Sequence, residues 1–495
     1  MAKEKLKFLC GFLLVHLVGC TQDDEAPKYE RLNTDYVKQT TALPDAKKVT
    51  QAERLEPLTF AKIKERGLPN AVYPDVEHYL AEYLFQNPSA CYWKVDEERK
   101  IVSTVKIPTP TGDEDEINLP KPSGLDDTDA IERIINSNPG KTFVGQGVYK
   151  IGGLSIKVPA KIFNMPMVPA NNAGVIVQIK SENVRIYHSP IDAQEQASVH
   201  TGFRLEPGSH HFHLVKSGFS NAYHRKNQSG AGVFIRGSSN FRIACNAFNN
   251  FINETSQPEE FTARANAIWV SGAKKYKSEG GYIVNNVASN FQSNGIGGGK
   301  VDAEFFTTQA HTGHGESIRI FANRCVNAGK RFTKWQNGGG KALSNYYHWK
   351  DRQGPLGPRT QRAIAAVHFG HSDVSVNNNR IKIEGNGEFT HIFNMTSRDG
   401  TRHNNVHFDG NDIEISQSPT EPHYASLIVG RYIKVVNDNK IGLEATNSSA
   451  KNNRFYGAGS ANFYYWFGPG WDDKGGNVDL SGNVFDVPAD IREYK

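Results

Sequence analysis

The chain has 495 residues, and its 57 Lys and Arg against 52 Asp and Glu give a formal net charge of +5. So small a charge excludes a histone-like basic binder and an acidic disordered chain. The 46 glycines and the 11% of aromatic residues, with only 4 Met, favour strands and turns over a helical bundle.

Residues 1–20, MAKEKLKFLCGFLLVHLVGC, have the form of an export signal. Lysines precede an apolar stretch from Phe8 to Val18 that is too short to span a bilayer. The end of this segment resembles the lipobox of bacterial lipoproteins, which implies lipidation at Cys20. The acidic run at 22–25 resembles the surface-export signal of Bacteroidetes lipoproteins. We therefore expect a signal peptide over 1–19 and a lipid anchor in the outer membrane, facing the cell surface or the periplasm; an ordinary secretory signal is the alternative.

Three further cysteines, Cys91, Cys245 and Cys325, are odd in number and widely spaced. Such a trio indicates neither a disulfide framework nor a CxxC metal knuckle. We expect buried free thiols at all three positions.

The residue pattern of the chain changes near residue 125. Residues 20–55 are polar and predict a tether, and 56–124 predict a mixed extension that ends in a proline-rich linker. The run DDTDAI at 126–131 then opens a short helix with Asp or Thr as N-cap, before strands at 142–144 and 147–151. This order resembles the entry of secreted right-handed β-helix enzymes of pectate-lyase-like fold, in which the helix caps the open end of the coil.

From about residue 160 an Asn recurs with an apolar residue one or two positions later. Three of the late gaps, Asn379 to Asn411, Asn411 to Asn439 and Asn453 to Asn483, are 28 to 32 residues long, which indicates stacked repeats. In a β-helix such residues can bond to the same Asn one coil away, whereas a propeller would need hairpins that the sequence lacks. The predicted fold is an all-β, right-handed parallel β-helix over 125–495, with a capping helix and a small mixed N-terminal extension. The repeat Asn residues are Asn246, Asn286, Asn323, Asn379, Asn411, Asn439, Asn453 and Asn483.

Two consecutive gaps in this series are longer than the late spacing of 28 to 32 residues, at 37 residues after Asn286 and 56 residues after Asn323. They predict inserted loops at 294–313 and 337–361. Because coils contact only their neighbours, such loops would project from the rod and wall a groove.

The stretch from 311 to 371 is rich in cations and imidazoles and poor in carboxylates. His314 and Lys334 are 20 residues apart, about one coil, which would set them side by side at the ~4.8 Å strand spacing. The predicted catalytic residues are His314, Lys334, Arg331 and His368. The predicted substrate-binding residues beside them are Gln336, Lys341, Tyr347 and His371. A second cluster, Tyr223, His224 and Arg225, would suit an anionic sugar chain or be only a solvated turn.

This composition favours β-elimination from a uronate, which needs a cation at the carboxylate and a base for the C5 proton. The pattern N-x-C-x-N-x-G at 323–329, followed by F-x-K at 332–334, resembles the active coil of the chondroitinase B and alginate lyase family. In that family a Lys is the base and an Arg one coil later assists, beside bound calcium. The resemblance implies a base at His314 and the Arg position near Lys334. The calcium ligands have no clear counterpart, so no metal or other cofactor is expected.

The predicted function is therefore that of a surface lipoprotein that cleaves a uronate-containing polysaccharide or oligosaccharide by β-elimination, or that dehydrates its terminal uronate. A glycoside hydrolase on the same fold, with two carboxylates across the groove, is one alternative. GHG at 313–315 resembles a polygalacturonase motif, but the paired Asp residues that should precede it are missing. A non-catalytic glycan-binding protein is the other alternative. The expected partners are an anionic glycan and, through the lipid anchor only, the membrane, with no nucleic acid.

Overall fold

The structure is a computed structural model. Its contacts divide the chain into Met1–Thr40 and Thr41–Lys495, and all described residues belong to the second unit. Cys20, the signal segment and the tether lie outside the described residues. The described ranges are 76–95, 101–112, 114–170, 173–224, 229–253, 264–273, 275–293, 302–308, 315–328, 331–350, 364–384, 389–396, 403–416, 424–431, 434–436, 439–441, 445–456, 462–467, 478–486 and 492–494.

Three long parallel sheets run along the described part of the chain, with thirteen, twelve and twelve strands. Each coil gives one strand to each sheet, and each strand pairs with its counterparts in the coils before and after. Arg242–Ala244, for example, pairs in parallel with His213–Val215 and with Tyr282–Val284. The predicted right-handed parallel β-helix is therefore confirmed.

The strands of the first sheet are Glu116–Asn118, Thr142–Val144, Ala160–Phe163, Val184–Tyr187, His213–Val215, Arg242–Ala244, Tyr282–Val284, Ile318–Phe321, Gly340–Leu343, Val374–Asn377, Val406–His407, Ser448–Ser449 and Val478–Asp479. Those of the second are Tyr149–Ile151, Met167–Pro169, Ile191–Asp192, Gly218–His224, Ala247–Asn253, Val287–Ser293, Arg324–Ala328, Tyr346–Lys350, Arg380–Glu384, Asp412–Ser416, Arg454–Tyr456 and Val484–Asp486. Those of the third are Leu154–Ile156, Val175–Ile179, Thr201–Leu205, Ser229–Arg236, Arg264–Ser271, Asp302–Thr308, Arg331–Trp335, Ile364–Phe369, Phe389–Thr396, Tyr424–Arg431, Asn462–Phe467 and Arg492–Tyr494. Four further pairs are Tyr92–Val95 with Ile101–Val105, Ser278–Glu279 with Gly315–Glu316, His403–Asn404 with Ala445–Thr446, and Lys434–Val436 with Asn439–Ile441.

An asparagine ladder joins the coils at the turn between the first and second sheets. Each ladder side chain accepts the backbone N–H of the ladder residue one coil earlier; Asn286 N, for example, donates to Asn323 Oδ1 at 2.9 Å. The residue before Asn323, Ala322, has φ +57°, and this left-handed conformation turns the chain from one sheet to the next. The first two ladder residues are serines and the rest are asparagines. In order they are Ser189, Ser217, Asn246, Asn286, Asn323, Asn345, Asn379, Asn411, Asn453 and Asn483.

The predicted Asn repeat is confirmed at seven positions and wrong at one. Asn439 lies in the antiparallel hairpin with Lys434–Val436, and the ladder passes from Asn411 directly to Asn453. Asn345 is a ladder residue that the sequence analysis missed, because residues 337–361 were taken for a loop. Residues 340–350 instead form two strands of the rod. Likewise 302–308, within the predicted loop 294–313, is a strand; the rest of both predicted loops lies largely outside the described residues.

The predicted capping helix spans Thr128–Asn136 and buries Ile131 and Ile135 against the first coils. Asp127 occupies the N-cap without making a side-chain capping bond, because its carboxylate instead accepts from the backbone of Ser123 and Lys150. The rod starts before residue 125, since Glu116–Asn118 inside the predicted linker already pairs with Thr142–Val144.

The strap, residues 76–95, lies against the outer face of the first sheet. Its helix, Val76–Gln86, packs Leu80, Ala81 and Leu84 against buried residues of the rod such as Phe321 and Leu343. Glu77 forms ion pairs with Arg319 (2.6 Å) and Lys341 (2.5 Å). Within the described residues, no helix is long and apolar enough to cross a membrane.

A disulfide between Cys91 and Cys245 ties the strap to the rod, with Cα atoms 5.7 Å apart. The prediction of free thiols is wrong for these two residues and confirmed for Cys325, which is buried and unpaired. The partners are 154 residues apart in sequence, and only the packing of the strap on the first sheet brings them together. Beside the bond, the Arg242 guanidinium lies 4.2 Å from the Trp93 ring centroid.

Candidate functional site

Two of the predicted catalytic residues lie on one row of the third sheet. Parallel pairing aligns Lys334 with Thr307 on one side and with His368 on the other. Lys334 projects away from the core, because its strand neighbours Thr333 and Trp335 are fully buried and side chains alternate along a strand. We call the aligned positions the outer row; in order along the rod they are Arg204, Phe234, Trp269, Thr307, Lys334 and His368.

The exposure of the outer row changes along its length. Phe234 and Trp269 are partly exposed, whereas Thr307 and Lys334 are 1% and 2% exposed. The row is therefore open to solvent over its first members and covered at Lys334. Since Lys334 belongs to an outward position of the sheet, its ammonium group lies beneath this cover and outside the apolar core.

Arg331 precedes Lys334 on the same strand and forms an ion pair with Glu304. Its Nη1 donates to Glu304 Oε1 at 2.6 Å, and both side chains are almost fully buried. A guanidinium held in this way already has a carboxylate partner, which argues against the predicted role of Arg331 in holding the substrate carboxylate. Its pairing with Glu304 joins two adjacent strands of the third sheet beside the outer row.

Three predicted substrate-binding residues are not available to a substrate at this face. Tyr347 is fully buried and packs inside the rod 5.8 Å from the Phe332 ring. His224 is fully buried too, and burial lowers its pKa to about 4, so it is neutral at pH 7. Lys341 lies on the first sheet, where it binds Glu77 of the strap. Tyr347 and Lys341 are close to Lys334 in the chain, but the three residues face different directions around the coil.

The remaining predicted residues lie at several places. Gln336 follows the Lys334 strand, and its backbone N–H donates to the Thr308 carbonyl at 2.9 Å. His371 follows the strand of His368, and its Nδ1 lies 2.9 Å from the Ser372 carbonyl. Tyr223 is half-buried on the second sheet. His314 and Arg225 lie outside the described residues, as does the side chain of His368.

A cluster of ionisable side chains that the sequence analysis missed lies on the outward face of the second sheet. Lys382 Nζ lies 2.7 Å from Glu384 Oε1 and 3.3 Å from Glu414 Oε1. His348 Nε2 lies 3.2 Å from the other oxygen of Glu384. The Tyr346 ring adjoins His348, with centroids 6.1 Å apart. We call these five residues the ionic cluster.

Lys382 and Glu384 form a charged pair at neutral pH. The Lys382 ammonium donates a hydrogen bond to Glu384 and holds the pKa of that carboxyl below its usual value, and the same contact raises the pKa of Lys382. The signal that would have found the cluster is strict alternation: RIKIE at 380–384 and DIEIS at 412–416 put every second residue outward, one coil apart.

Among the described residues, no group of three or more His, Cys, Asp or Glu is placed to hold a metal ion. No protein-family model matches the chain, and no curated protein matches it. Solved structures similar to it include the catalytic domain of a GH87 α-1,3-glucanase in complex with nigerose, at TM-score 0.36 and 10% identity over 79% of this chain and 70% of that one. A tailspike protein of E. coli bacteriophage HK620 is similar at TM-score 0.35 and 10% identity, over 82% and 84%. Function is therefore argued from the side chains of this chain.

Proposed function

We propose that the protein is a carbohydrate-active enzyme that performs β-elimination on a uronate-containing glycan at the outer row. One observation carries the proposal: Lys334 and His368 occupy consecutive rungs of one row, at the ~4.8 Å spacing of a parallel sheet. A cation and an imidazole at that spacing supply the two functions that elimination needs. Lys334 is only 2% exposed, so the proposal requires its cover to open before a glycan carboxylate can contact the ammonium group.

In this proposal Lys334 neutralises the uronate carboxylate and thereby lowers the pKa of the C5 proton. His368 takes that proton, the C4–O bond breaks, and a C4–C5 double bond forms. The departing oxygen receives a proton from water. An imidazole suits the task because its ordinary pKa lies near neutral pH. His314 remains a second candidate for the base.

The proposal is tested with a panel of uronate glycans, followed at the absorbance of the C4–C5 double bond. We expect Lys334→Ala and His368→Ala each to lower turnover by ~10²–10⁴-fold, because each removes a group that acts in the transition state. The matched control is Lys341→Ala, a lysine on the first sheet that binds the strap, which should keep its activity. Normal turnover in both outer-row variants would refute the assignment. No double bond with any glycan would refute elimination.

Glycoside hydrolysis is the second candidate, and the ionic cluster is the observation that favours it. Glu384 and Glu414 share Lys382, and the sum of their distances to its Nζ, 6.0 Å, is the largest separation that the two bonded oxygens can have. Retaining glycosidases hold two carboxyl groups about 5–5.5 Å apart. One of the pair must carry a proton as general acid, however, and Lys382 lowers the pKa of Glu384. A hydrolase releases new reducing ends and forms no C4–C5 double bond. If the wild type does this and Glu384→Gln abolishes the release, the enzyme is a hydrolase.

We also propose that the protein acts outside the cytoplasm, anchored through Cys20. The Cys91–Cys245 disulfide supports export, because structural disulfides persist in oxidising compartments. Mass spectrometry of the mature protein should find a lipid on Cys20, and Cys20→Ala should release the protein from membranes. A wild-type protein without lipid would refute the anchor. Export is tested separately by the oxidation state of the Cys91–Cys245 pair in the protein isolated from cells.

A further inference from the structure

A carboxyl group, a hydroxyl group and an imidazole from two neighbouring coils form a hydrogen-bonded set on the first sheet. Parallel pairing aligns His407 with Ser449. Ser449 Oγ lies 2.7 Å from His407 Nδ1 and 2.7 Å from Asp409 Oδ2. Asp409 is 1% exposed and Ser449 is 3% exposed, whereas the His407 side chain is 29% exposed. The set, which we call the relay, therefore runs from a buried carboxyl group to a partly exposed ring.

The relay has the composition of a nucleophilic triad but not its order. In such a triad the imidazole lies between the hydroxyl and the carboxylate, with one ring nitrogen on each. Here the hydroxyl lies in the middle, and Asp409 Oδ2 is 3.8 Å from the same His407 nitrogen, Nδ1, that contacts Ser449. The buried hydroxyl of Ser449 is thus enclosed by its two partners. This order suits the sharing of a proton and not attack on a substrate.

The surroundings of His407 determine which ring nitrogen carries hydrogen. Asn405 Nδ2 donates to Asp373 Oδ1 at 2.9 Å, so the amide oxygen of Asn405 is the atom that lies 2.7 Å from His407 Nε2. An amide oxygen can only accept, and Nε2 must therefore donate. In the neutral ring Nδ1 then carries a lone pair, and the Ser449 hydroxyl is the donor in contact with it.

One added proton satisfies every group of the relay. When Asp409 carries it, the acid O–H donates to Ser449 Oγ and the Ser449 hydroxyl donates to His407 Nδ1. When Nδ1 carries it, the imidazolium donates to Ser449 and the hydroxyl donates to the carboxylate. With no added proton, two acceptors compete for one hydroxyl hydrogen. With two added protons, that hydrogen has no acceptor within the relay.

We propose that the relay binds one proton, which Ser449 links to both Asp409 and His407, and that this proton strengthens the contact between the two coils. The inference is independent of the proposed elimination, because the candidate sites lie on the other two sheets. It makes this part of the rod sensitive to acidity.

Among the described residues, the charged groups that face the relay are Lys451, Asp479 and Asp373. The backbone N–H of Lys451 donates to Asp409 Oδ1 at 2.9 Å, and its ammonium lies 2.8 Å from Asp479. Asp373 reaches His407 only through the amide described above. Burial raises the pKa of Asp409 to about 6, while burial and Lys451 lower the pKa of His407. In the one-proton form the proton therefore rests on Asp409, and the ring is neutral.

The sharing is tested by NMR of protein labelled with ¹⁵N in its histidines, in which the His407 signals are assigned from their loss in His407→Gln. We expect two inflections of the Nδ1 signal with pH, one near pH 6 where Asp409 titrates and one at the protonation of the ring itself. Asp409→Asn places an amide donor where the acid O–H was, so the inflection near pH 6 should disappear. Ser449→Ala removes the link and should abolish the same inflection.

The matched control is Ser448→Ala. The Ser448 hydroxyl donates to the Thr446 carbonyl and accepts from the Val406 N–H, so it contacts no titrating group. This variant should keep both inflections. A wild-type Nδ1 signal that does not respond near pH 6, or a response that persists in Asp409→Asn, would overturn the shared proton.

The effect on the coils is tested by hydrogen exchange of the Phe408 amide, which donates to the Ser449 carbonyl at 2.9 Å. After correction for intrinsic exchange, protection should be about tenfold greater at pH 5 than at pH 7, because each pH unit below the raised pKa of Asp409 favours the closed form tenfold. In Asp409→Asn the protection should be equal at both pH values. Equal protection in the wild type would overturn the strengthening of the contact, even if the proton is shared.

Discussion

The hydrogen bonds of Asn323 allow us to predict how much stability is lost when one residue of the asparagine ladder is removed. The Oδ1 of Asn323 accepts from the backbone N–H and the side-chain amide of Asn286, each at 2.9 Å. Its Nδ2 donates to the carbonyls of Ile283 and Phe321 and to Asn345 Oδ1. The side chain thus contacts five hydrogen-bonding atoms, with two of the three acceptors sharing one of the two Nδ2 hydrogens, and all of the ladder groups are buried. Asn323→Ala leaves the Asn286 N–H without its acceptor in a site closed to water.

We expect this substitution to cost about 3–5 kcal/mol. This figure counts the two hydrogen bonds that Oδ1 accepts, at about 1 kcal/mol net each, and the stranded buried donor of Asn286, at about 1–3 kcal/mol more. The measurement is hydrogen exchange of the Asn286 amide, since global unfolding of stacked coils need not be a single transition. A local loss of about 3 kcal/mol corresponds to exchange that is roughly 100-fold faster.

Two comparison variants sharpen the test. Asn323→Ser should retain part of the protection, because Ser189 fills the same role with one hydroxyl that accepts from Met165 and donates to Tyr187. Asn439→Ala removes an Asn that lies outside the ladder and should change stability by no more than about 0.5 kcal/mol. If the Asn286 amide exchanges at the wild-type rate in Asn323→Ala, the ladder does not hold the coils together.

Three further predictions concern stability. Reduction of the Cys91–Cys245 disulfide should lower the free energy of unfolding by about 2–4 kcal/mol, and the melting temperature of Cys91→Ser should not respond to reductant. Burial raises the pKa of Asp409 to about 6, so the folded protein binds this proton more tightly than the unfolded chain. This contribution is fully present below about pH 4 and is lost as pH rises through about 6, a change of ~3 kcal/mol that Asp409→Asn should remove from the stability profile. Glu304→Gln should cost ~3–5 kcal/mol because it leaves the Arg331 charge buried without its carboxylate, and an unchanged urea midpoint would contradict that ion pair.

The sequence predicted the rod because the ladder Asn residues and the capping helix are local signals. It could not predict the length of each coil, which varies from 22 residues between Asn323 and Asn345 to 42 between Asn411 and Asn453. Coils of such different lengths leave no fixed period in the sequence. Only the side-chain hydrogen bonds between coils show that Asn345 belongs to the ladder and Asn439 does not.

The variation in coil length also explains which of the predicted site residues share a face of the rod and which do not. Lys334 and His368, both predicted catalytic residues, do lie on paired strands of neighbouring coils. Tyr347 and Lys341 are as close in sequence to Lys334, yet one lies inside the rod and the other on the first sheet. Which face a residue occupies depends on where its coil turns. The Cys91–Cys245 bond depends likewise on the packing of the strap, which no local pattern encodes.

The strap has a mechanical consequence. A pulling force on the N-terminal side of residue 76 would pass through the strap helix into Arg319 and Lys341, and through the disulfide into Cys245. These contacts lie in the middle of the rod, well past its first strand at Glu116–Asn118. The first coils and the capping helix would therefore carry little of the load. A covalent bond and two partly exposed ion pairs would bear tension that would otherwise separate the coils one at a time from the N-terminal end.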